Sequence, residues 1–139
     1  TLPERWQSEP MVVRVGVVAL NLPVMAESYE AGAPVDAEPE RTTIADGLAI
    51  RVAIPLAVER LHAAIDGIIR VSERAIAEAL VACHDAGVEV EPAAAAAVAA
   101  VRERPDLTGD GVVVAMMTGR NFDPAVLERA RRDPGSFAD

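Results

Sequence analysis

The sequence predicts an α/β domain in three layers, with a mainly parallel sheet and crossover helices. Two observations favour this class. The run Val12–Val18 is almost entirely β-branched, which is typical of a strand buried on both faces. Short apolar runs of this kind alternate with stretches of helical spacing, the order expected of strand–helix–strand units. A chain of 139 residues is long enough to bury one core of this kind.

Capping residues and apolar periodicity predict each element in turn. Proline near the start and glycine after the end mark the first helix, Ser72 is expected to cap the third, and Glu91-Pro92 opens an alanine-rich fourth. The predicted strands span 12–18, 68–71 and 112–117. The predicted helices span 22–31, 55–65, 73–86, 93–103 and 124–132. We expect a polar, proline-containing N-terminal arm over 1–11 and a single α/β domain over 12–139.

Composition narrows the functional classes. Hydrophobic residues make up 51% of the chain but aromatic residues only 3%, which predicts a core of small side chains and closely packed helices. The net charge is −9, all 13 basic residues are arginine, and no basic stripe is present, which argues against nucleic-acid binding. No apolar run is long enough to cross a bilayer and no leader opens the chain, so we expect a cytoplasmic protein without membrane contact. Cys83 is expected to be a buried thiol.

Residue patterns alone place one candidate site. Thr118 directly follows the third predicted strand, and ligands of parallel sheets bind beyond the carboxyl ends of the strands. The sequence contains no glycine-rich dinucleotide loop, phosphate-binding P-loop or spaced metal cluster. His62 and His84 are predicted to lie on helices as surface or packing residues. These patterns therefore predict a site at the end of a strand, without a reaction.

Four short motifs carry a resemblance to a known family. They are the segments 43–49 (TIADGLA), 71–73 (VSE), 90–97 (VEPAAAAA) and 112–121 (VVVAMMTGRN). In this order and spacing the chain resembles, over about 12–124, the C-terminal half of fold-type II pyridoxal-phosphate (PLP) enzymes of the tryptophan synthase beta superfamily. Serine and threonine dehydratases and serine racemase are the most similar members, and threonine synthase-like enzymes share the pattern.

The resemblance implies a role for Thr118. In the family, a serine or threonine at this place presents its hydroxyl to the pyridine nitrogen of the cofactor. A neutral hydroxyl leaves the ring less electron-withdrawing than a carboxylate would, which suits α,β-elimination and deamination of a hydroxy amino acid to a 2-oxo acid. The alternative is a threonine that simply ends a strand.

The resemblance implies further cofactor contacts, each beside a structural alternative. Gly119 would let the backbone pass close to the ring and Asn121 would hold the following turn, although both are ordinary turn residues. Glu91 would lie near the ring, or would only favour the positive end of the alanine-rich helix. Asp46 and Gly47 would flank the cofactor's face, or form a simple turn.

The sequence departs from the family pattern in three places. Arg120 stands where dehydratases commonly have a second glycine, and it would contact a substrate carboxylate or point to solvent. Val18 and Val24 occupy the positions of acidic metal ligands in some members, so we expect no divalent-cation site. The chain has no lysine, so it cannot form the covalent imine that holds the cofactor in the family, and no glycine-rich run is present to bind the phosphate.

Three interpretations follow from the missing lysine. The chain is one part of a PLP lyase, contributing no catalytic residue and sharing the cofactor with a lysine-bearing N-terminal half or within an oligomer. Alternatively, it is a non-catalytic binding or regulatory module on the same scaffold. The third interpretation is an unrelated α/β interaction domain.

Overall fold

Two parallel strands form the sheet that organises the fold. The computed structural model describes residues 12–38, 40–107 and 111–137, so the predicted arm over 1–11 lies outside the described residues. Strand β1 spans Val15–Ala19 and strand β2 spans Gly67–Val71. They pair in parallel, with Val15 opposite Gly67 and Ala19 opposite Val71. Parallel strands cannot be joined by a hairpin, and here the connection runs through two helices.

The five predicted helices are all confirmed, with ends that differ by a few residues. They are α1 (Val24–Ala31), α2 (Pro55–Ala64), α3 (Glu73–Asp85), α4 (Pro92–Glu103) and α5 (Pro124–Arg132). Proline stands in the first turn of α2, α4 and α5, where its missing N–H leaves no hydrogen bond unmade. As predicted, Ser72 caps α3, because its hydroxyl oxygen accepts a hydrogen bond of 3.1 Å from the Ala75 N–H.

The sheet lies between helices on its two faces, which gives the three predicted layers. Successive side chains of a strand point to opposite faces. Val17 and Ile69 pack against the core formed with α3 and α4. Arg70 points the other way and forms an ion pair of 2.6 Å with Glu30 of α1. The α/β class with a parallel sheet is therefore confirmed.

Small side chains dominate the interface between α3 and α4. Five alanines of α4 are buried, and Ile76, Leu80 and Cys83 of α3 pack against them. Alanine lets two helix backbones approach closely without leaving voids. The expectation of a buried Cys83 is confirmed, and burial raises the pKa of this thiol, against a smaller opposing effect of Arg102.

The predicted third strand is wrong for the chain as described. Residues 112–121 contain no strand, and Val112, Val114 and Met116 are 94%, 77% and 72% exposed. A strand requires a neighbour to complete its backbone hydrogen bonds. No described segment lies alongside these residues as a paired strand. The apolar composition is that of a buried strand, but the burial is missing.

Within the described ranges, no helix is long and apolar enough to cross a membrane.

Close packing at α4 makes a stability prediction. Ala99 is fully buried in the main core, so Ala99→Leu inserts a larger side chain where no space exists and is expected to lower the free energy of unfolding by about 1–3 kcal/mol. Ala97 lies on the same helix but is only half-buried, and Ala97→Leu is expected to change it by less than about 0.5 kcal/mol. Urea denaturation of both variants measures the difference. Equal values would contradict the packing described for α4.

Candidate functional site

Three of the motifs meet at the N-terminus of α4. The turn Asp46–Leu48 packs against this end of the helix, and Glu91 is the residue that precedes its first turn. The Glu91 backbone N–H donates to the carbonyl of Gly119 at 3.2 Å. Segments that lie far apart in the chain are thus held together around one glutamate.

The Glu91 carboxylate joins the two loops. Its Oε2 accepts a hydrogen bond of 3.1 Å from the Asn121 backbone N–H. Its Oε1 would lie 3.1 Å from a Cβ added at Gly47, so it also packs against the turn at Asp46. A hydrogen bond to an ionised acceptor is stronger than one between neutral groups.

Gly119 is the position where only glycine fits. Its φ of +85° lies in the left-handed region, which residues with a Cβ rarely adopt. A Cβ there would stand 2.5 Å from both Cδ and Oε2 of Glu91. The carboxylate therefore lies directly against the backbone of the loop, and a methyl group would displace it.

Two side chains of the same loop face outward. Thr118 and Arg120 are exposed, and neither forms a hydrogen bond or ion pair with other parts of the chain that the structure describes. The loop backbone is fixed from behind through Gly119 and Asn121. Both side chains are therefore available to a ligand on the open side.

The structure bears on the alternatives for Glu91 and Asn121. Glu91 makes no side-chain hydrogen bond to the first turn of α4, so its carboxylate serves the loops instead of capping the helix. Asn121 contributes its backbone N–H to Glu91. The turn that follows is fixed by Asp123, whose Oδ1 accepts from the Ala125 N–H at 2.9 Å and caps α5.

One anchoring residue escaped the sequence analysis. Glu73 is only 2% exposed although it stands in the first turn of a helix, where carboxylates are usually solvated. Its Oε2 accepts a hydrogen bond of 2.8 Å from the Ile44 N–H, two residues before Asp46. Asp46 itself is exposed and accepts from the Gly47 N–H at 2.8 Å. The long-range Glu73 contact leaves no local mark in the sequence that would have revealed it.

The described residues contain no group of three or more histidine, cysteine, aspartate or glutamate side chains able to hold a metal ion. Val18 and Val24, which stand at the metal-ligand positions of some family members, are buried in the core.

Comparison with known proteins follows this geometry. The family model described as "Pyridoxal-phosphate dependent enzyme" matches residues 4–119, which include the turn at Asp46, Glu91 and the loop as far as Gly119. The chain belongs to the pyridoxal-phosphate dependent enzyme family. The predicted resemblance to threonine and serine dehydratases is thereby confirmed at the level of the family.

Individual members of the PLP family agree with this assignment. L-Threonine ammonia-lyase of Thermotoga maritima is 32% identical over 121 residues, or 86% of this chain. A threonine deaminase from the organism abbreviated T.th. superposes with a TM-score of 0.72 at 28% identity and covers 84% of the chain. The processed form of threonine deaminase isoform 2 from Solanum lycopersicum covers 94% with a TM-score of 0.80, and at 23% identity it shows the fold alone.

The chain is much shorter than these PLP-family relatives. It spans 30% of the length of the Thermotoga maritima lyase. It spans 42% of the T.th. deaminase and 36% of the Solanum lycopersicum chain.

The contact between Gly119 and Glu91 predicts a measurable coupling. Gly119→Ala is expected to lower the free energy of unfolding for two reasons: left-handed strain of about 1–2 kcal/mol, and displacement of the carboxylate, about 1–3 kcal/mol more. In a Glu91→Ala background the second effect disappears, because no carboxylate remains to be displaced. A double-mutant cycle by urea denaturation measures the coupling.

Gly32→Ala is the matched control. Gly32 has φ of +66° but no atom within 4 Å of an added Cβ, so only the strain applies. Its effect is expected to be the same with and without Glu91. A Gly119→Ala effect that is likewise unchanged by removing Glu91 would show that the carboxylate does not occupy this space.

Proposed function

We propose that this chain forms the pyridine-nitrogen side of the cofactor pocket in a PLP-dependent lyase of the serine/threonine dehydratase type. The reaction would be α,β-elimination and deamination of a small hydroxy amino acid to a 2-oxo acid and ammonia. The observation that carries the proposal is the convergence of Asp46-Gly47, Glu91 and the 118–121 loop at one end of α4, in a chain of the PLP family.

The residues of the loop fit one side of the cofactor. Thr118 offers an exposed hydroxyl, and its neighbour Gly119 presents backbone without a side chain, so a flat ring can approach closely. When bound, the cofactor supplies the electron-withdrawing ring of the reaction. Thr118 would hold the ring nitrogen through a neutral hydrogen bond, because a hydroxyl, unlike a carboxylate, does not stabilise a proton there. Asp46, Gly47 and Asn121 would border the same pocket.

The remaining parts of the chemistry would come from a second component. Without lysine, this chain cannot provide the covalent tether or the base that the family uses. The exposed apolar segment Val112–Met117 supports a partner that covers it, because apolar surface of this kind is unusual on a free monomer. We propose a lysine-bearing N-terminal half, which would also bind the phosphate, as this partner. We keep the cytoplasm as the proposed location.

A second function is favoured by the same absence of lysine. A chain of this family that binds no partner would be a non-catalytic binding or regulatory module. Such a module would be monodisperse by itself, would unfold cooperatively, and would not respond to PLP.

Thr118 gives the proposal a direct test. Titration of pyridoxal 5′-phosphate into the chain assembled with a lysine-bearing half is expected to produce the visible absorption band of the bound cofactor. Thr118→Val removes the hydroxyl at constant shape and is expected to weaken cofactor binding about two- to tenfold, the effect of one hydrogen bond. Thr118→Ser, which keeps the hydroxyl, is expected to restore it.

Two controls give the result its meaning. Thr42 is an exposed threonine that precedes the Asp46 turn by four residues, and Thr42→Val is expected to leave the titration unchanged. The chain alone is expected to form no borohydride-reducible adduct with PLP at a side chain. A specific adduct on the isolated chain, or identical cofactor spectra for Thr118→Val and the unmodified assembly, would refute the assigned division of roles.

A further inference from the structure

The end of α3 is held by a closed turn that leads directly toward the site. Gly87, with φ of +78°, donates its N–H to the His84 carbonyl at 3.0 Å, and the Val88 N–H donates to the Cys83 carbonyl at 2.9 Å. This pair of hydrogen bonds is the Schellman motif, which ends a helix and fixes the direction of the chain that leaves it. The chain then reaches Glu91 within three residues.

The His84 side chain spans this turn. Its Nε2 lies 2.9 Å from the Val90 carbonyl oxygen and 3.4 Å from the Val90 backbone nitrogen. These two contacts require opposite protonation of Nε2, since the carbonyl needs a donor and the N–H needs an acceptor. The shorter contact is favourable only with the proton on Nε2, because otherwise two lone pairs would face each other at 2.9 Å. We therefore assign the proton to Nε2.

The same ring contacts the other loop of the site. His84 and Phe122 meet edge to face, with ring centroids 5.7 Å apart and planes at 75°. This arrangement is a favourable one for aromatic pairs. Phe122 directly follows Asn121 and is itself packed against the main core. His84 thus touches the residue before Glu91 and the residue after Asn121.

We propose that His84 is a positioning residue for the site. Through the Val90 carbonyl and the Phe122 ring, it holds in place the two chain segments that the Glu91 carboxylate joins. Its importance for cofactor binding rests on the function proposed above, but the positioning itself is a property of the chain alone. The sequence analysis assigned His84 to helix packing, and the structure adds a hydrogen bond across the end of the helix.

Amide hydrogen exchange tests this positioning in the full chain. His84→Phe keeps an aromatic ring beside Phe122 but removes the donor to Val90. We expect exchange at the Glu91 and Asn121 amides to become roughly three- to tenfold faster, as for the loss of one hydrogen bond. Exchange at Leu80, in the middle of α3, is expected to stay unchanged.

Two further variants separate positioning from general packing. His84→Gln carries an amide nitrogen at nearly the distance of Nε2 and is expected to restore slow exchange at both amides. His62→Phe is the matched histidine control, because His62 stacks on Tyr29 at 4.3 Å, away from Val90 and Phe122. It is expected to leave both amides unaffected.

A measurement on the unmodified chain completes the test. Nitrogen-15 NMR of the imidazole is expected to show the proton of neutral His84 on Nε2. A proton on Nδ1, or equal exchange in the unmodified and His84→Phe chains, or no difference between His84→Phe and His84→Gln, would overturn the assignment. Because none of these measurements uses PLP, their failure would leave the proposed function standing, and failure of the cofactor titration would leave the positioning role intact.

Discussion

The hydrogen bond between the Glu91 carboxylate and the Asn121 backbone N–H is the contact on which the candidate site depends. Glu91 stands at the start of α4, and α4 is fixed by its packing against the sheet and α3. The carboxylate transfers this rigidity to a loop that contains no helix or strand of its own. A loop held in this way can present Thr118 to a ligand in a defined position, which a freely moving loop cannot do.

Small residues make this contact possible. Gly119 leaves room for the carboxylate on one side, and Gly47 leaves room on the other. A Cβ added at Gly47 would stand 2.9 Å from Ala93 Cβ, so the turn at Asp46 lies directly on α4. The same preference for small side chains shapes the core, where buried alanines of α4 face α3. The composition that first described the chain is thus linked to the geometry of its site.

The sequence predicted the features that depend on local signals. Each helix was predicted from capping residues, prolines and apolar spacing, and each was confirmed. The strand over 112–117 was predicted from the same kind of signal and was wrong, because strand formation depends on a neighbour that local sequence does not describe. Residues at the site divide in the same way. Thr118 was predicted from its place after an apolar run, whereas the roles of Glu73 and His84 depend on contacts with Ile44, Val90 and Phe122 and had no local signal. The roles of Glu91, Asp46 and Asn121 came from the resemblance to the PLP family, and periodicity alone would not have indicated them.

The most direct measurement is an experimental structure of this chain assembled with a lysine-bearing half and pyridoxal 5′-phosphate. The account predicts the Thr118 hydroxyl within hydrogen-bond distance, about 2.7–3.0 Å, of the pyridine nitrogen, with the Glu91 carboxylate still bound to the Asn121 N–H. A cofactor bound elsewhere, or a Thr118 hydroxyl turned away from the ring, would contradict it.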